Sequence, residues 1–101
     1  MNMEKFPLKV IIYKEGEMIY FSQLDLAKIL ERAIRRTGLP FYYTQGFRPH
    51  LKISFGRALK LGIEGAEDVI FYFTRPISPQ ELRQLLLPQL PQGLTIKNIT
   101  V

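Results

Sequence analysis

Apolar and polar side chains alternate along residues 8–13, LKVIIY, with Leu8, Val10 and Ile12 on one side and Lys9, Ile11 and Tyr13 on the other. A period of two predicts a half-buried strand. The charged run Lys14-Glu15-Gly16-Glu17 then reads as a turn. Residues 18–21, MIYF, fit either a second strand segment or an irregular approach to a helix. From Ser22 the period changes. At about 100° per residue, Leu26, Ile29, Leu30, Ala33 and Ile34 fall on one side, opposite Asp25, Lys28, Glu31, Arg32, Arg35 and Arg36, which predicts an amphipathic helix. Ser22 is a good N-cap, with Asp25 three residues on as a weaker capping-box partner. Gly38 and Pro40 stop the helix.

Residues 41–44 have strand character, 45–50 read as a loop, and Leu51, Ile53 and Phe55 alternate with Lys52 and Ser54. Residues 57–68 read as a connection, and 69–74, VIFYFT, as an aromatic-rich strand. Ser78-Pro79-Gln80-Glu81 starts a second helix, with Ser as cap, Pro at the first helical position and Glu three residues after the cap. Leu82, Leu85 and Leu86 are its expected buried side, and Pro88 ends or kinks it. Pro91 and Gly93 mark a turn before a last strand over 94–101. The order strand, helix, strand, strand, helix, strand predicts one α+β domain over residues 1–101. Its expected form is ferredoxin-like βαββαβ, an antiparallel sheet with two helices on one face.

Composition narrows the chemistry. The chain of 101 residues is 47% apolar and 23% charged, which is globular rather than disordered. With no cysteine and one histidine, it offers no disulfide, thiolate zinc site, cysteine nucleophile or paired-histidine metal motif, and no cofactor is expected. A cytoplasmic setting fits that composition. No apolar run approaches the roughly 18–20 residues that cross a bilayer. The first 13 residues carry no small-residue cleavage site and read as a strand rather than a signal peptide.

Net charge is +5, so the placement of the cations matters more than their number. Three roles are open to the lone His50: a structural loop residue, a proton donor or acceptor near neutral pH, or a contact to phosphate beside Arg48 and Lys52. Gly46 allows a sharp bend, and Pro49 holds Arg48 extended. The multi-glycine spacing of phosphate-binding loops is missing. On the first helix, Lys28, Arg32, Arg35 and Arg36 gather charge, which is either a solvated face or a surface for phosphate or an acidic protein. Glu31 and Arg35 make a favourable pair, and terminal arginines also offset the helix dipole. Lys9, Ile11, Tyr13, Ile70, Tyr72, Lys52 and Ser54 are expected on the open sheet face. Mixed basic and aromatic residues there resemble base-stacking RNA sheets, without their glycine-aromatic signature.

The stretches FSQLDLAKILERAIRRTGLP and TQGFRPHLKISFGRALKLGIEG resemble the radical SAM-linked protein family, the bacterial domain of unknown function 2344. The likeness runs from about Leu8 to the last strand. Its most specific part is Phe21, Ser22, Leu24 and Asp25 at the helix start, together with Gly46, Phe47, Pro49, His50 and Phe55. Arg32, Arg36, Lys52, Ser54 and Gly62 match as well, whereas Arg48 stands where members often have Asn. The resemblance implies a partner, a radical SAM enzyme acting in trans, and transfers no catalytic residue. Radical SAM chemistry needs a cysteine-bound iron–sulfur cluster, which these residues lack, so it is expected to belong to another polypeptide.

The expectation is therefore an accessory binding domain, not an enzyme on its own, that presents RNA or another anionic substrate to that partner. Arg48, His50 and Lys52 in the loop, with Arg32 and Arg36 on the helix, are the expected contacts. A pure protein-interaction module is the alternative. Less favoured is a small RNA-processing enzyme that uses His50 for proton transfer.

Overall fold

Every strand in the structure is held by antiparallel pairing. The computed structural model describes residues 4–57, 62 and 64–101. They form β1 (Phe6–Lys14), a 3₁₀ segment (Gly16–Tyr20), α1 (Gln23–Arg36), β2 (Ile53–Arg57), β3 (Gly65–Phe73), α2 (Pro79–Leu86), a second 3₁₀ turn (Leu87–Gln89) and β4 (Leu94–Thr100). The sheet order is β2-β3-β1-β4. β1 is central, running from Phe6 opposite Phe73 to Lys14 opposite Gly65. On its other side, Ile11 faces Asn98 and Ile12 faces Ile96, so Lys97 is the extra residue of a bulge. The fold is α+β, with a four-stranded antiparallel sheet and two helices.

The alternation in β1 places Leu8, Val10 and Ile12 in the core, as its sequence predicts, and Val69, Phe71 and Phe73 join them from β3. Leu94, Ile96 and Ile99 complete the sheet side. Leu26, Leu30, Ala33 and Ile34 of α1 and Leu82 and Leu86 of α2 close the same cluster, so both helices lie over one sheet face. Apart from the small Ala33, each such side chain contributes about 1.5–3 kcal/mol when fully buried. Leu85 departs from expectation and is 38% exposed. Leu82 and Leu86 sit one turn apart along the contact line, whereas a residue three on is rotated by about 60° onto the flank.

Both helices start on their caps. Ser22 Oγ accepts from Asp25 N at 3.1 Å, and the Asp25 carboxylate accepts in return from Ser22 N at 3.3 Å, a full capping box. Ser78 Oγ accepts from Glu81 N at 3.0 Å, but the Glu81 carboxylate turns to Arg75 at 3.7 Å. Pro88 ends α2 by tightening the chain into the 3₁₀ turn. Residues 18–21 resolve as the end of the first 3₁₀ segment and its cap, with Met18 buried as the anchor.

Three sequence-based boundaries need correcting. Lys14 is the last, buried residue of β1 and not part of a turn. The expected connection over 57–68 contains the end of β2 and the start of β3 at Gly65, while 58–61 and 63 lie outside the described residues. Residues 41–44 contribute only isolated bridges, Phe41 to Phe73 and Tyr43 to Leu51. Among the described residues, no helix is long and apolar enough to cross a membrane.

Candidate functional site

The 44–50 hairpin tip is built on a hydrogen-bonded base. Tyr42 N donates to Tyr72 O at 2.9 Å, and Lys52 N donates to Tyr42 O at 2.9 Å, which docks both arms against the end of β3. Thr44 N donates to His50 O at 2.7 Å, and His50 N donates to the Thr44 hydroxyl at 3.0 Å, which closes the tip. Between these closures Gly46 takes φ +147°. Phe47 then stands 99% exposed, with exposed Arg48, Pro49 and His50 behind it. Among the described residues, the side chains of Arg48 and His50 make no hydrogen bond or ion pair, and no carboxylate approaches the imidazole.

Lys52 is half-buried beside the tip, its ammonium 5.2 Å from the centre of the Tyr72 ring, and Tyr72 Oη donates to Ser54 Oγ at 3.3 Å. Such a contact holds a cation on the open sheet face without neutralising it. The same face carries Lys97, 4.6 Å from the Tyr13 ring, but also Lys9 paired to Asp68 at 3.5 Å, so it is not uniformly basic. Tyr13 Oη donates to the Glu64 carboxylate. That hydrogen bond, followed by desolvation and the charges of Glu64 and Glu15, holds the Tyr13 hydroxyl above the ordinary tyrosine value of 10.0.

The arginines of α1 divide. Arg35 pairs with Glu31 at 2.9 Å and lies 5.8 Å from the Tyr43 ring, tying the helix end to the hairpin base. Arg32 and Arg36 instead line a groove of about 390 Å³ with Met18, Phe21 and Ile29, closed by Gln89 and Pro91. Thus the structure gathers Arg48, His50 and Lys52 on one hairpin and places Arg32 and Arg36 in another surface feature. Among the described residues, no hydrogen bond, ion pair or ring contact joins the two groups. No cluster of three or more His, Asp or Glu side chains among the described residues is placed to hold a metal ion.

Sequence reasoning passed over Phe47 as a contact and missed the buried Lys14–Glu67 ion pair at 2.9 Å. A phenylalanine between a glycine and Arg-Pro, outside any alternating run, was the available signal for the first. For the second, continuing the inward period past Ile12 reaches Lys14, and running it back from Val69 reaches Glu67.

Residues 8–101 match the model of a family described as uncharacterised protein conserved in bacteria, DUF2344. No curated protein and no solved structure matches the chain.

Proposed function

This chain belongs to the DUF2344 family, and we propose that it is a non-enzymatic binding domain whose 44–50 hairpin holds an anionic partner, RNA being the class its surface chemistry fits best. Phe47 carries this reading. A phenylalanine that is 99% exposed forgoes about 1.5–3 kcal/mol of burial, and stacking on a base is worth about 1–3 kcal/mol. Around it Arg48, His50 and Lys52 supply contacts for phosphate, and closure of the tip by Thr44 and His50 limits the conformational freedom lost on binding. The imidazole lacks a carboxylate partner among the described residues, which favours a binding role over proton transfer.

Two finer readings go with it. The strand order read from the other edge is β4-β1-β3-β2, with α1 between β1 and β2 and α2 between β3 and β4, which supports a ferredoxin-like classification. A radical SAM enzyme acting in trans is the proposed partner. Its support is the resemblance carried by residues 21–25 and 46–55, and the cluster cysteines would come from outside these 101 residues.

The test is filter binding of single-stranded RNA over a salt series. Arg48→Ala should reduce the salt slope by about 0.7 for each lost phosphate contact. Phe47→Ala should weaken binding by about 1–3 kcal/mol while leaving that slope unchanged. No RNA binding at low salt would remove the nucleic-acid assignment.

A further inference from the structure

The second surface stands on observations independent of the hairpin. Arg32 and Arg36 are one helical turn apart, both are exposed, and among the described residues neither makes a hydrogen bond or ion pair, in contrast to Arg35. The groove they line has an apolar component in Phe21, Ile29 and Pro91 over the buried Met18, and no acidic residue among its lining. Arg36 ends α1, where its charge opposes the helix dipole, but a groove with two free guanidinium groups still selects an anion.

We propose that this groove docks an acidic segment of another polypeptide, one that seats an apolar side chain on Phe21, Ile29 and Pro91 and offers carboxylates to Arg32 and Arg36. Carboxylates match the guanidinium fork, and a peptide carries apolar groups a few residues from its acids. A nucleic acid fits less well: a base could stack on Phe21 and phosphates could meet the arginines, but nothing aliphatic would cover Ile29 and Pro91. A protein-binding groove together with the RNA-binding hairpin proposed above makes the domain an adaptor with two separate surfaces.

The experiment titrates the full chain with a short helical peptide that presents leucines flanked by glutamates, following the methyl resonances of Met18 and Ile29. A saturable shift is expected, and changing the glutamates to glutamines should weaken binding by about tenfold or more. The double variant Arg32→Glu/Arg36→Glu, its thermal melt checked against the parent, should lose the glutamate peptide and gain a lysine counterpart. Phe47→Ala should leave the titration unchanged, so failure here is distinct from failure of the RNA assignment. The proposal is overturned by absence of a saturable shift at millimolar peptide, by equal binding of the glutamate and glutamine peptides, or by indifference to the charge reversal. Movement of these methyls on dilution of the chain alone, which marks a second copy, also overturns it. So does their movement by RNA in preference to the peptide.

Discussion

Lys14 and Glu67 are 3% and 2% exposed at their side chains and lie 2.9 Å apart inside an otherwise apolar core. Neither carboxylate oxygen of Glu67 has a well-aligned hydrogen bond among the described residues, so direct charge attraction stands almost alone against the desolvation of two ions. Truncating one member, as in Glu67→Gln or Lys14→Met, should cost about 3–5 kcal/mol, while the double variant Lys14→Met/Glu67→Leu should recover most of it. Urea midpoints decide this: a double variant as unstable as the sum of the singles would show that the ions are not coupled. Their positions were legible in the strand period, but their burial was not, because each charge is tolerable inside only through the other, 53 residues away by 67 − 14. Tyr13 carries the pH-dependent counterpart. Its hydroxyl titrates higher in the folded chain, so the stabilisation from Glu64 is fully present below the unfolded tyrosine value and is lost as pH rises through the folded one. Ultraviolet titration of tyrosinate should show a late-ionising component that Tyr13→Phe removes. An unchanged late titration in that variant would assign it elsewhere.

Among the elements, the helices were the most readable, since Ser22 and Ser78 announce their caps and the 100° period continues from each. The 3₁₀ segment was not readable from residues 16–20 alone, because a distant glycine holds it. Glu15 N donates to Gly93 O at 2.9 Å, and Gly93, with φ +97°, lies so close that a Cβ there would stand 2.6 Å from Met18 Cγ and 2.7 Å from Glu15 O. Gly16 has φ +63° but open space where its Cβ would go. Gly16→Ala should therefore cost about 1–2 kcal/mol from backbone conformation alone. Gly93→Ala adds displacement of a backbone carbonyl and of the buried Met18, and should lower the melting temperature clearly further. Equal melting temperatures would mean that the turn before β4 does not seat this segment. The hairpin was half legible. Gly46 and Pro49 mark its bend, but full projection of Phe47 depends on the Thr44–His50 closure and on docking of Tyr42 against Tyr72.

At the scale of the molecule, a net charge of +5 is compatible with one broad electropositive surface or with two local ones. Sequence spacing does not separate these cases. Arg35 and Arg36 are neighbours in the chain, yet Arg35 leans on Tyr43 at the hairpin base while Arg36 lines the groove beside Met18. If the surfaces are independent, free energies should add: Phe47→Ala and Arg32→Glu/Arg36→Glu, alone and combined, should show coupling within about 0.3–0.5 kcal/mol for both RNA and peptide. RNA affinity should follow the hairpin change and peptide affinity the groove change. Charge reversal in the groove should still lower RNA affinity slightly at low ionic strength through the long-range field. At physiological salt, with a Debye length of about 8 Å, that effect should fade, whereas loss of a direct phosphate contact would persist. Persistent weakening of RNA binding by the groove reversal at physiological salt would join Arg32 and Arg36 to the hairpin as one nucleic-acid surface. Its disappearance would leave the cations divided between two partners.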